Sequence, residues 1–322
     1  MSLNDNVGVV YDARFLRHVP GNTGCVEVPA RLEAIVDSLR SQGLWDRLQP
    51  IDITPASPRQ LTWAHTREYV ESVQQECRDG LTTISQGDTD VCGASFEVAA
   101  LAAGGCMSAV REVMAGKVRS AICLVRPPGH HATADRGMGF CLFNNAALAA
   151  QQARRVGKAR RVLILDWDLH HANGTQEIFY EDPGVFLCSL HQDGEYPMPE
   201  RQIGYARESG QGAGEGMNLN CPLPPGAGDA AALNALNERL VPAMQAYQPE
   251  LVIVSCGLDC LKGDPLGRLE ITIDGLAAMT RVARDIADEY AQGRLVSILE
   301  GGYNFALIGP AMCAHVQALM ER

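Results

Sequence analysis

This 322-residue chain has no long apolar run. Segments such as VLIL at 162–165 and LVIV at 251–254 fall far short of the roughly 20 residues needed to cross a bilayer. No membrane partner is expected. The N-terminal segment MSLNDNVGVVYDARF has no basic stretch leading into a long apolar one, so no secretory leader is expected. Positive charge is also short: 27 Lys and Arg against 38 Asp and Glu leave a formal net charge of −11. A protein that grips phosphate backbones needs a basic face, so nucleic acid is not an expected partner. The same balance is compatible with a cationic substrate. A second closely spaced cysteine pair is missing too. Of 11 cysteines only Cys256 and Cys260 are close in sequence, whereas zinc-finger spacing requires two such pairs. The odd count, spread through apolar stretches such as AICLV, VFLCSL and LVIVSC, reads as free buried thiols in a reducing cytoplasm. No low-complexity linker, internal repeat or composition break divides the chain, which predicts one domain over 1–322.

What is present is an alternation of β-rich runs and helical patterns. The strand candidates are VGVVY (7–11), RSAICLV (119–125), RRVLILD (160–166), GVFLCSL (184–190), ELVIVSC (250–256) and RLVSILE (294–300). Helical periodicity covers roughly 28–41, 66–77, 94–115, 144–156, 229–246, 273–291 and 307–320. Strands apolar on every residue are buried on both faces. The expected fold is therefore α/β, a single open parallel sheet flanked by helices on both faces. In such sheets sites form beyond the carboxyl ends of the strands. Here VLIL runs into DWDLHH, AICLV into RPPGHHA, LVIVS into CGLDC and LVSIL into EGGYN. Four strands thus deliver polar residues to one edge.

The densest of these is DWDLHH. Along an extended strand Asp166, Asp168 and His170 would be spaced by roughly 6.6 Å, too far for one metal ion, so the backbone is expected to curl after Asp166. Asn173-Gly174 supplies a turn signal just downstream. A curled Asp-x-His offers oxygen and nitrogen to a divalent cation such as zinc. Asp259 in CGLDC is the best placed third ligand. The competing reading, an acid–imidazole network that ties loops together, is weakened by the number of titratable groups at one edge. His130 and His131 follow a stiff Pro127-Pro128 and could serve as metal ligands or as a general base and acid. Tyr303, after Gly301-Gly302, could approach a developing oxyanion. The glycine-rich SGQGAGEGMNLN (209–220) is neither preceded by a strand nor followed by a helix. It reads as a flexible approach to the next strand rather than a phosphate loop.

Taken in order, RPPGHHA, GMGFCLFNNAALAA, ILDWDLHHANGTQEIF, SLH, ELVIVSCGLDCLKGDPLG and LEGGYN resemble the histone deacetylase family. The likeness is closest to class II and bacterial histone-deacetylase-like amidohydrolases. Weaker similarity at YDARFLRH, EVPARLEAI and WAHTREYVESV extends it over nearly the whole chain. The resemblance implies the arginase/deacetylase fold and hydrolysis of an acyl amide on an acylated amine, acetyl-lysine first. It implies one zinc ion on Asp168, His170 and Asp259, and a catalytic pair His130 and His131, the first oriented by Asp166 and the second contacted by Asn173. Tyr303 would polarise the scissile carbonyl. A structural potassium ion is implied at Asp166, Ser189 and Leu190 with the backbone of Asp168 and His170. Gly139, Phe140 and Tyr196 would wall a substrate tunnel, Tyr196 standing where relatives carry Phe. Leu266 follows GDP where polyamine-selective relatives place an acid, and Asp88, Asp90 or Glu195 could substitute for that acid on the rim. Cys25-Val26-Glu27 replaces the HPE usual before the first helix and is expected to reshape the entrance, and with it substrate or homo-oligomer geometry. Three alternatives stand beside this reading: an acetylpolyamine hydrolase, an arginase-like ureohydrolase with two manganese ions, which lacks a DxDxxDP-type segment here, and a non-catalytic acyl-ligand binder.

Overall fold

The apolar runs become the strands of one parallel sheet in the computed structural model, which describes residues 6–21 and 24–321. Residues 1–5 of the segment read for a leader lie outside the described residues. The strands are β1 (Val7–Val10), β2 (Gln49–Pro50), β3 (Ser120–Cys123), β4 (Val162–Asp166), β5 (Val185–Gln192), β6 (Asn218–Leu223), β7 (Leu251–Cys256) and β8 (Leu295–Leu299). They lie in the order β2-β1-β3-β8-β7-β4-β5-β6, every pair parallel. Every residue of β3, β4, β7 and β8 is buried, as runs apolar on both faces require. Helices cover the sheet in two groups. Ser95–Met114 packs with Asn145–Arg155, and Phe305–Met320 packs with both Ile273–Tyr290 and Ala30–Ser41. Among the described residues no helix is long and apolar enough to cross a membrane.

Where structure and expectation part, the reasons are local. β2 is two residues long and carries no pattern to read. β6 (NLNCPL) hides because Asn218 and Asn220 are buried by hydrogen bonding, not by apolarity: both donate through Nδ2 to Gln176 Oε1, at 3.1 and 2.9 Å. The glycine-rich stretch before it is tied down rather than loose, with Asn218 Nδ2 also donating to Glu208 O (2.9 Å) and Ser209 Oγ to Glu215 Oε1 (2.6 Å). The 229–246 pattern is helical but passes through a π-turn at Leu236–Leu240. Asn173-Gly174 opens the helix Asn173–Phe179 instead of making a turn.

Since all strands are parallel, their carboxyl ends share one edge, and β3, β8, β7 and β4 are contiguous at its centre. Helix caps fix the loops there. Asn144 caps Asn145–Arg155 by accepting from Ala147 N (2.8 Å), while its Nδ2 donates to Ala132 O (3.1 Å), just past the His pair.

Candidate functional site

The expected curl after β4 is built from two consecutive Asx turns. Asp166 Oδ1 accepts from Asp168 N (3.0 Å), and Asp168 Oδ1 from His170 N (2.9 Å). Asp168 Oδ1 thereby comes within 3.0 Å of His170 Nδ1. From the loop after β7, Asp259 accepts Leu169 N–H through Oδ1 (2.9 Å) and turns Oδ2 to 3.3 Å from the same His170 Nδ1. One ring nitrogen faces two carboxylate oxygens and its single proton satisfies only one of them. Asp259 Oδ2 is buried with no hydrogen-bond partner. The three donor atoms lie within 4.8 Å of one another, and the residues form a group able to hold a metal ion. Burial, and after it the Asp168 carboxylate, pushes Asp259 up to about 7. A cation in the gap would reverse that shift.

Gly301 makes this approach possible. A Cβ there would stand 2.1 Å from Asp259 Oδ2 and 2.7 Å from Asp168 Oδ2, while its N–H donates to Asp168 Oδ2 at 2.8 Å.

The His pair, from the loop after β3, lies beside the group. His130 Nδ1 is 3.1 Å from Asp166 Oδ2 and His130 Nε2 is 3.7 Å from Asp168 Oδ1. Burial favours a neutral His130 ring, but the Asp168 and Asp166 carboxylates outweigh it and hold the imidazole well above its usual range. His131 Nδ1 donates to Asn173 Oδ1 at 2.7 Å; an amide oxygen only accepts, so the proton sits on Nδ1 and Nε2 is left free. Burial, with His130 and His170 alongside, pushes His131 well below the usual range. Adjacent imidazoles are thus driven in opposite directions.

Tyr303 is buried, its ring 6.0 Å from Phe140 and the Arg31 guanidinium 4.7 Å from its centroid. Gly139 (φ 49°) and Tyr196 stand against His131, and Phe140 (φ 68°) against Tyr303. The Tyr196 ring lies 5.2 Å from that of His131 and 6.2 Å from that of His170. A Cβ on Gly139 would meet His131 Cδ2 at 2.4 Å and Tyr196 Cε1 at 3.0 Å, so only glycine fits between the two rings. Of the acids named for the rim, Asp88 bridges Gly139 and Tyr196, accepting from Gly139 N (3.0 Å) and Tyr196 Oη (3.4 Å). Asp90 instead accepts from Thr83 Oγ1 (2.8 Å) and Glu195 from Gln192 Nε2 (2.8 Å). Leu266 is half-buried and linked to Tyr303 only indirectly: Asp264 accepts from Leu266 N (3.0 Å) and Tyr303 N (2.7 Å). Ser189, paired in register with Asp166, accepts from Ala172 N (3.3 Å), and Gln192 N donates to Leu169 O (2.8 Å), which sets Ser189 and Leu190 against the 166–170 curl.

The entrance expectation for Cys25-Val26-Glu27 is corrected. Glu27 is buried, accepting from Arg126 Nε (2.7 Å) and Nη2 (2.6 Å) and from Arg31 Nη1 (2.8 Å). Arg31 in turn donates to Gly302 O (2.6 Å) and Glu300 O (2.7 Å). This cluster braces the His loop and the Tyr303 loop from behind. Arg31, Arg126, Asp264 and Glu300 escaped sequence reasoning, although each lies inside or beside a motif that drew attention for another residue. A surface cleft of 840 Å³ lies elsewhere, lined by Gln176, Glu177 and Arg201 among others, and Arg201 is spent on Glu177 at 2.7 Å.

Comparison with known proteins agrees with this geometry. Residues 25–319 match the model of the histone deacetylase domain. A histone deacetylase-like amidohydrolase of Pseudomonas aeruginosa is 39% identical over 291 residues, covering 90% of this chain and 75% of that one. A probable deacetylase of Archaeoglobus fulgidus is 38% identical over 299 residues, 92% of this chain and 81% of its own. The crystal structure of the HDA15 HD domain superposes with a TM-score of 0.90 at 37% identity, covering 98% of this chain and 89% of that one. With the fold and the matched span in accord, the chain belongs to the histone deacetylase family, hydrolases that act on amide C–N bonds.

Proposed function

We propose that this chain, acting as one catalytic domain over residues 1–322, is a zinc-dependent deacetylase that hydrolyses the acyl amide of an acylated amine, acetyl-lysine first. The observation that carries the reading is the orphaned Asp259 Oδ2 facing His170 Nδ1 beside two imidazoles with opposed proton preferences. Asp168, His170 and Asp259 would hold the metal, which when bound supplies a Lewis acid for the amide carbonyl and lowers the pKa of water.

The residues of the chain do the rest. His131 takes the proton of the attacking water on Nε2, the atom that Asn173 leaves free, and returns it to the leaving amine nitrogen. His130, held cationic by Asp166 and Asp168, contributes positive charge near the developing oxyanion. Tyr303 Oη donates to the carbonyl oxygen as it becomes negative. Burial keeps this phenol protonated, its pKa well above the usual range. Gly139, Phe140 and Tyr196 wall the approach of a slim aliphatic arm, with Leu266 further out. Asp166, Ser189 and Leu190, with the carbonyls of Asp168 and His170, would take a potassium ion that stiffens the curl. The free state of the cysteines supports a cytoplasmic setting.

Asp88 favours a second reading, hydrolysis of acetylpolyamines, because its exposed carboxylate sits where a cationic chain would pass. Measuring kcat/KM of the zinc-loaded protein on an acetyl-lysine peptide and an acetylpolyamine side by side separates the two. A peptide preference upholds the first reading and a polyamine preference the second. Tight acyl-ligand binding without turnover of either would overturn both.

A further inference from the structure

Cys141 has no part in the chemistry above, yet its thiol, a ring nitrogen of His130 and a carboxylate oxygen of Glu300 lie within 4.8 Å of one another. All three residues are buried. His130 gives Nδ1 to Asp166, which leaves Nε2. Glu300 spends Oε2 on Gly129 N–H (2.7 Å) and His130 N–H (3.2 Å), while its Oε1 is buried with no partner. A carboxylate oxygen stranded in this way is costly unless something comes to meet it. The thiol's own contact is weak, a 3.4 Å donation to Gly139 O. The backbone behind it is firm: Cys141 N donates to Met138 O (2.8 Å), and Thr89 Oγ1 to Cys141 O (2.9 Å).

We propose that His130, Cys141 and Glu300 form a second, inhibitory site for a thiophilic divalent cation, zinc foremost. One sulfur, one nitrogen and one oxygen suit zinc or cobalt and discriminate against magnesium and calcium, which take oxygen ligands. The Asp168–His170–Asp259 set needs no buried thiol to ionise and fills first. Binding at the second site sends the Cys141 thiol proton and the Nε2 proton of the His130 imidazolium to solvent, and so removes the positive charge of that ring. The site stands on its own geometry; that its filling inhibits rests on the proposed role of His130.

Cobalt titration of the metal-stripped full chain tests this, because a thiolate on cobalt adds a charge-transfer band in the near ultraviolet that an all-oxygen-and-nitrogen site lacks. The first equivalent is expected to bind without the band and the second with it. In parallel zinc titrations hydrolysis should rise with the first equivalent and fall about 10²-fold with the second, the scale of lost stabilisation of an oxyanion. Cys141→Ala should take one equivalent, show no band, keep its basal hydrolysis and resist excess zinc. Glu300→Gln keeps the acceptor for the two N–H groups and should weaken only the second equivalent. A band persisting in Cys141→Ala, a second equivalent without a band, or a wild-type chain that binds a single equivalent would each overturn the second site. A chain whose only bound cobalt shows the thiolate band would overturn the functional reading instead and leave this site standing.

Discussion

Glu27→Gln puts a number on the brace beneath the site. The carboxylate is buried and bonded by two guanidiniums at 2.6–2.8 Å. Burial alone would raise its pKa, but Arg126 and Arg31 more than reverse this and bring it from 4.5 down to about 2. That difference corresponds to about 3 kcal/mol of stability, fully present above pH 4.5 and lost as pH falls through 2. Independently, removing one member of a buried ion cluster typically costs about 3–5 kcal/mol, because the remaining charges lose their partner. Both routes predict a drop of roughly 3 kcal/mol at pH 7, or roughly 5 °C in Tm for a chain this long. Urea unfolding of both proteins at pH 7 and again near pH 2 is the assay. The variant should be weaker at pH 7, and the gap should close in acid. A Glu27→Gln midpoint within error of wild type at pH 7 would refute the reasoning, as would a deficit that does not shrink with acid.

Other perturbations test single links. Tyr303→Phe should retain the fold by circular dichroism while kcat drops by about 10²–10³, the usual cost of an oxyanion donor. Near-normal kcat would remove Tyr303 from the mechanism. Gly301→Ala drives a methyl into Asp259 and Asp168, so zinc content by metal analysis should fall with activity, and full metal occupancy would contradict the packing. His315, buried between Thr280 Oγ1 (2.7 Å) and Ser297 Oγ (2.8 Å), is pushed by burial down to about 4. The unfolded chain binds that proton more readily, so wild-type stability should fall as pH drops from 6.5 toward 4. His18, His65 and His191 are likewise pushed down to about 4, so the slope across that range should lessen in His315→Gln by one group's share rather than vanish; an unchanged slope would exclude His315 from the acid sensitivity. Chelation should abolish hydrolysis and zinc restore it, with residual turnover in the stripped protein counting against a metal requirement.

Much of this architecture was legible because burial on two faces leaves a plain mark. β3, β4, β7 and β8 announce themselves as unbroken apolar runs, and their polar successors reveal the edge where the site forms. The curl after Asp166 also followed from distance alone, since an extended chain cannot bring Asp168 and His170 onto one ion. What stayed hidden was held by partners remote in sequence. Glu27 reads as an ordinary acid ahead of a helix until Arg126, 99 positions away, is seen to clasp it. Asn218 and Asn220 look like loop residues because Gln176, not a hydrophobic neighbour, makes their burial tolerable. Glu300 passed as a motif letter, since its role lies in backbone N–H groups that no side-chain pattern encodes.

The strand order carries a consequence for how the molecule is made. β7 and β8, from the last quarter of the chain, are inserted between β3 and β4 rather than added at an edge. Asp259 and Tyr303 follow those two strands, so a growing polypeptide emerging from the ribosome carries the His pair and DWDLHH long before it can assemble them. Until the last two strands arrive, β3 and β4 are separated and their apolar edges wait unpaired. Such non-local closure is slow, which makes this half-built sheet the stage most exposed to aggregation and most dependent on chaperones.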